Sequence, residues 1–288
     1  MATIFNKADI KLIECPRDAM QGIHDFIPTD LKIKYIQSLQ KVGFHTLDCA
    51  SFVSPKAIPQ MKDSAKVVEA ISETKGNTKL SVIVANQRGA NDAIKYDAID
   101  YLGYPFSISE TFQKRNTNRG VEESVDLVKE ILDITKSAGK EMVVYISMGF
   151  GNPYEEEWSS EMVIDWVGRL ELLGVNYFSI SDTVGVSDSD KIRAVFSGLF
   201  RHYKKSEFGA HFHTRPDDWQ EKVETAFENG CARFDGAIKG FGGCPMAKDE
   251  LVGNMPTERL IEYFGNDQLK LNIEAMSEAE IIANEVFL

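Results

Sequence analysis

The sequence holds little that would tie it to a cross-linked scaffold, a membrane or a polyanion. It has four cysteines in 288 residues, Cys15, Cys49, Cys231 and Cys244, with no CxxC pair and no zinc-ribbon spacing. That excludes a disulfide framework and points to a reducing compartment, so a cytoplasmic protein is expected. No apolar run reaches about 18 residues, and no transmembrane helix is expected. Met1–Lys7 lacks the apolar stretch of a leader peptide. Basic residues are the minority, with 32 Lys and Arg against 44 Asp and Glu and a formal charge of −12. A surface of that sign argues against nucleic acid and membrane lipid as partners, while leaving room for a local basic patch. Two nucleotide signatures are also missing. The first apolar run is followed by Pro16-Arg17-Asp18 where a dinucleotide fold would carry GxGxxG, and there is no P-loop.

What is present is a regular alternation. Strand-like runs occupy Ile10–Cys15, Phe44–Cys49, Lys79–Ala85, Ala98–Leu102, Glu141–Ser147, Tyr177–Ser181, Phe208–His213 and Arg233–Ala237. Amphipathic stretches lie between them. One runs to Lys41 from an expected N-cap at Thr29, with Gly43 as its stop. Others cover Glu122–Ser137, Ser159–Leu173, Asp188–Tyr203 and Pro216–Asn229. Eight strand–helix repeats predict a parallel sheet closed into a (β/α)₈ TIM barrel. The length suits one such domain over 1–288, with an extra helix at Ser277–Val286.

Barrel chemistry sits at the C-terminal strand ends, so the polar residues there carry the functional reading. His211 and His213 are two apart on a strand and therefore share a face, with Phe212 on the other. Two inward imidazoles near Asp18, at the end of the first strand, are candidate ligands of a hard divalent cation such as Mg²⁺ or Mn²⁺. The bland alternative is two separately satisfied histidines. Arg17 reads as a surface ion pair or as a donor to an enolate or thioester oxygen. Asp182 reads as a turn former or as a carboxylate that orients a histidine, and Asp48 has the same ambiguity. Glu14 is left unassigned. Gly240–Pro245 has three glycines in four residues and reads as a turn or as a lid that carries Cys244 to a reacting carbon. The other three cysteines read as small packing residues.

These pieces in this order resemble the 3-hydroxy-3-methylglutaryl-CoA lyases, a branch of the DRE-TIM metallolyases. The resemblance runs from about Lys11 to about Leu260. It is carried by Pro16-Arg17-Asp18 with Gln21, Ser51-Phe52-Val53-Ser54-Pro55-Lys56 with Pro59-Gln60-Met61, Ser181-Asp182-Thr183-Val184-Gly185, His211-Phe212-His213, and Gly240-Phe241-Gly242-Gly243-Cys244-Pro245 with Gly253-Asn254. It implies a metal set of Asp18, His211, His213 and Asn254. It also implies Arg17, Gln21 and Thr183 as substrate contacts, Cys244 as the catalytic thiol, and Asp48 and Asp182 as acidic partners near the metal. The implied reaction is retro-Claisen cleavage of an acyl-CoA to acetyl-CoA and acetoacetate. His211 is the first candidate for the base that takes the hydroxyl proton. A homodimer is also implied.

There are departures. Cys15 stands where the family usually has glycine, Asp48 where glutamate is common, and Thr214 where aspartate is usual. Ala237, Lys239, Phe241 and Met246 also differ around the thiol. They leave three alternatives open: a lyase for another branched 3-hydroxyacyl-CoA, a homocitrate- or isopropylmalate-synthase-like condensing enzyme, and a catalytically silent barrel.

Overall fold

Each of the eight expected strands forms, and each pairs in parallel with its sequence neighbours. The computed structural model describes residues 9–242 and 252–288. The strands are β1 (Lys11–Glu14), β2 (Thr46–Ser51), β3 (Lys79–Ile83), β4 (Ile99–Ser107), β5 (Glu141–Ser147), β6 (Tyr177–Asp182), β7 (Glu207–Thr214) and β8 (Arg233–Gly236). Strand β8 pairs with β1, which closes the barrel. A two-residue strand, β9 (Gly253–Asn254), runs antiparallel to the end of β7 and sets Asn254 opposite His213.

The helices are α1 (Pro16–Gln21), α2 (Thr29–Gln40), α3 (Ser64–Ser72), α4 (Gln87–Ala93), α5 (Glu110–Thr117), α6 (Val121–Ser137), α7 (Ser160–Leu172), α8 (Ser189–His202), α9 (Trp219–Glu228), α10 (Thr257–Phe264), α11 (Asn266–Leu269) and α12 (Ile273–Phe287). Ser159 and Asp188 cap α7 and α8, their side chains accepting from the backbone N–H of Met162 and Lys191. Thr29 is not the cap expected of it. It is the first helical residue, follows Pro28, and gives its hydroxyl proton to Asp63 at 2.8 Å. The C-terminal helix α12 begins four residues earlier than the sequence pattern suggests. It packs on α2, with the rings of Tyr35 and Phe287 meeting edge-on at 5.8 Å.

The main core lies between the sheet and the helices, because one residue in two on each strand points outward. Phe212 takes its expected outward place, 5.6 Å from the ring of Phe150. Inside the barrel lies a small apolar patch of Ile83, Val143 and Tyr145. Around it run buried polar side chains, among them Asp48, Ser81, Ser179, Arg233 and Asp235. No helix among the described residues is long and apolar enough to cross a membrane.

Candidate active site

At the C-terminal mouth of the barrel a cavity of about 390 Å³ is lined by Arg17, Asp18, Gln21, Tyr145, Thr183, His211 and His213, among others. The Pro16-Arg17-Asp18 run is not a loop. Pro16 starts the six-residue helix α1, where its fixed φ and missing N–H are tolerated. That helix presents Arg17, Asp18 and Gln21 together. Arg17 Nη1 donates to Asp18 Oδ1 at 3.0 Å and to Gln21 Oε1 at 2.9 Å, and Gln21 Nε2 donates to Asp18 Oδ1 at 2.6 Å.

One ligand atom each from Asp18, His211 and His213 lie within 4.8 Å of one another. Asn254 joins them through its position opposite His213. Its Nδ2 donates to Asp18 Oδ2 at 2.7 Å and to the Phe241 carbonyl at 2.9 Å, and its amide oxygen takes part in neither contact. The charge states suit a cation. Burial opposes ionisation of Asp18, but Arg17 and the two imidazoles outweigh it and hold the carboxyl below its usual range. Burial, and then the neighbouring His211, push His213 down to about 4, so it is neutral at pH 7 and offers a lone pair. Two imidazoles, a carboxylate and an amide, with no sulfur, form a donor set that fits a hard divalent ion.

His211 differs from its neighbour in one respect. Strands β7 and β8 set it opposite Asp235, whose Oδ2 meets His211 Nδ1 at 3.1 Å and accepts from Ser179 Oγ at 2.9 Å. Burial would lower the basicity of His211, but the bond to Asp235 outweighs it and the imidazole is raised above its ordinary value. The fixed Nδ1 leaves Nε2 to face the other ligands.

The HMGL-like family model matches residues 10–282. The chain belongs to the HMGL-like family. It is 31% identical over 259 residues to a Bacillus subtilis protein named hydroxymethylglutaryl-CoA lyase YngG, which spans 90% of this chain and 86% of that one. A crystal structure of the B. subtilis HMG-CoA lyase superposes with a TM-score of 0.88 at 27% identity, covering 96% of this chain and 94% of the other. An HMG-CoA lyase from Acinetobacter baumannii, solved with coenzyme A and 3-methylmalate, superposes with a TM-score of 0.88 at 26% identity, covering 99% and 92%.

Neither of the two acidic residues expected near the metal lines the cavity, and each instead holds a neighbour of it. Asp48 is fully buried and does not line the cavity. It takes Arg17 Nε at 3.2 and 3.1 Å and also Arg17 Nη2, so it aims the guanidinium. Asp182 points away from the mouth because it alternates with the inward Ser181. Its carboxylate accepts from the N–H groups of Val186 and Ser187 at 2.8 and 3.1 Å, from the Ser187 hydroxyl, and from Lys222 Nζ at 3.0 Å. It makes no hydrogen bond to either histidine, and the orienting carboxylate is Asp235 instead. Lys222 also donates to the His213 carbonyl at 2.9 Å, so it ties α9 to the strand that carries the imidazoles. Glu14 faces outward, accepting from the Ile238 N–H at 2.9 Å and from the Thr257 hydroxyl.

Thr183 does reach the cavity, where its Oγ1 accepts from the Met148 N–H at 2.9 Å. Cys244 lies outside the described residues. Gly242 precedes it in a left-handed conformation, φ +96°. A Cβ there would stand 2.7 Å from Asn254 Nδ2, 2.8 Å from Ala19 Cα and 3.0 Å from the Asp18 carbonyl. Only glycine can come this close to the carboxylate and amide ligands.

Proposed function

We propose that the chain is a divalent-metal-dependent lyase that cleaves 3-hydroxy-3-methylglutaryl-CoA to acetyl-CoA and acetoacetate. The observation that carries this reading is the convergence of Asp18, His211 and His213 beside Arg17 at the cavity mouth. The printed activities of its relatives support it. Mg²⁺ or Mn²⁺ suits the donor set, and when bound it supplies Lewis-acid stabilisation of negative charge on substrate oxygen.

The chain's own groups do the rest. With Nδ1 held by Asp235, His211 Nε2 has one lone pair, so binding the cation and taking a proton exclude each other in that imidazole. The split in basicity gives His213, Asp18 and Asn254 the holding role. His211 Nε2 then accepts the tertiary hydroxyl proton as the adjacent C–C bond breaks. Arg17 donates to the oxygen of the thioester enolate that leaves. In this reading Cys244 returns the proton to its carbon. Arg115 and Asn118 on the cavity wall suit the polar, phosphate-bearing end of an acyl-CoA.

The test is to incubate the protein with Mg²⁺ and 3-hydroxy-3-methylglutaryl-CoA and to assay acetoacetate. Cys244→Ala should nearly abolish turnover and keep metal binding. His213→Ala should lose divalent-ion affinity, and unchanged affinity would refute the ligand assignment. Product formed only from an α-keto acid and acetyl-CoA would assign the chain to condensation instead.

A further inference from the structure

Beneath the hard-cation site lies a second cluster with different chemistry. Ligand atoms of Cys15, His211 and Asp235 lie within 4.8 Å of one another. Cys15 and Asp235 are 1% and 2% exposed. The Cys15 thiol makes no hydrogen bond among the described residues, and Asp235 Oδ1 is buried without a partner, its Oδ2 being shared by Ser179 and His211. Of its three residues His211 lines the cavity, as does Arg17, two residues beyond Cys15.

We infer that Cys15, His211 and Asp235 form a second site, sharing His211 with the first cluster, for a thiophilic divalent ion such as Zn²⁺ or Co²⁺. Sulfur, imidazole and carboxylate in one set select such an ion over Mg²⁺. A tetrahedral ion with bonds of about 2.0–2.3 Å separates its donors by roughly 3.3–3.8 Å, so the three side chains need to close by at most about 1–1.5 Å. The electrostatics favour a cation. The Asp235 carboxylate, with one oxygen unpaired, attracts a positive ion to the thiol. Binding forms an S–metal bond, breaks the S–H bond and releases that proton to buffer. It also replaces the contact between His211 Nδ1 and Asp235, the ring proton passing from Nδ1 to Nε2. With Nε2 protonated the imidazole can no longer accept a proton from substrate, so a soft ion here opposes turnover.

The test is independent of the lyase reading, because it needs no substrate. The metal-free full chain is titrated with Co²⁺. The expected result is a near-ultraviolet thiolate-to-cobalt charge-transfer band in the wild type and in Cys244→Ser, absent from Cys15→Ser and Cys15→Ala. The two Cys15 variants should keep the weaker visible bands of cobalt bound by oxygen and nitrogen. No band in the wild type, a band that survives in both Cys15 variants, or its loss in Cys244→Ser overturns the proposal. If neither Cys15 variant folds, X-ray absorption at the zinc edge of Cys244→Ser decides. One sulfur neighbour at about 2.3 Å supports the site and none overturns it. In the lyase assay, Zn²⁺ should lower wild-type turnover at least tenfold and that of Cys15→Ser far less. Equal inhibition of both also overturns it.

Discussion

Asp235 and His211 face each other across neighbouring strands, carboxylate Oδ2 to imidazole Nδ1 at 3.1 Å. This contact decides which nitrogen of the imidazole faces the reaction. Asp235→Asn keeps the shape but offers an amide where a carboxylate was. Turnover should fall about 10²–10⁴-fold, the usual worth of a positioned base, while Mn²⁺ affinity stays near wild type. The acetoacetate assay beside a Mn²⁺ titration measures both, and unchanged turnover would remove Asp235 from the account.

Lys222 is 3% exposed and joins Asp182, Asp218 and the His213 carbonyl. Lys222→Met leaves the buried Asp182 carboxylate without its cation. Loss of about 3–5 kcal/mol of stability is expected. Chemical denaturation at pH 7 reads this, and a loss below about 1 kcal/mol would contradict the assigned pairing.

Gly242→Ala puts a methyl group among Asp18, Ala19 and Asn254 at a positive φ. Both a lower melting temperature and weaker cation binding should follow, because Asn254 must retreat from Asp18. A variant with wild-type affinity would show that this close approach does not shape the site.

Glu14 gives a pH signature. Burial, opposed by the bonds to Thr257 and Ile238, raises its pKa to about 8 from an ordinary 4.5. The folded protein therefore binds this proton more tightly than the unfolded chain. Its contribution is complete below about pH 4.5 and is lost as pH rises towards about 8. Glu14→Gln should flatten the fall in unfolding free energy between pH 5 and 8 and be the more stable form at pH 8. Parallel curves for the two proteins would count against it.

Much of the frame was legible because periodicity carries it. β5 runs over Glu141–Ser147 as read from the sequence, and the His211/His213 face follows from strand alternation alone. Strand β4 was read too short. Gly103 and Pro105 look like breakers, yet in the structure both lie within the strand and pair with Val143 and Tyr145. Asn254 entered the site only by resemblance, since its placement depends on the antiparallel pairing of a two-residue strand. Asp235 and Lys222 escaped notice for a shared reason. A single charged residue inside an apolar strand or on an amphipathic helix looks like an edge or a solvated face until its partner is known. For Asp48 and Asp182 the strand is legible in the sequence but the partner is not, because spacing alone does not say which neighbour a buried carboxylate meets.

The fork between Asp48 and Arg17 has one more effect. Of the five N–H groups on the guanidinium, Nε–H and one on Nη2 go to Asp48, and both on Nη1 go to Asp18 and Gln21. One N–H remains, on a side chain that cannot swing. Its rotamer freedom is given up when the chain folds, so an incoming oxygen bears none of that ordering cost. A lysine in its place would supply the charge without the direction.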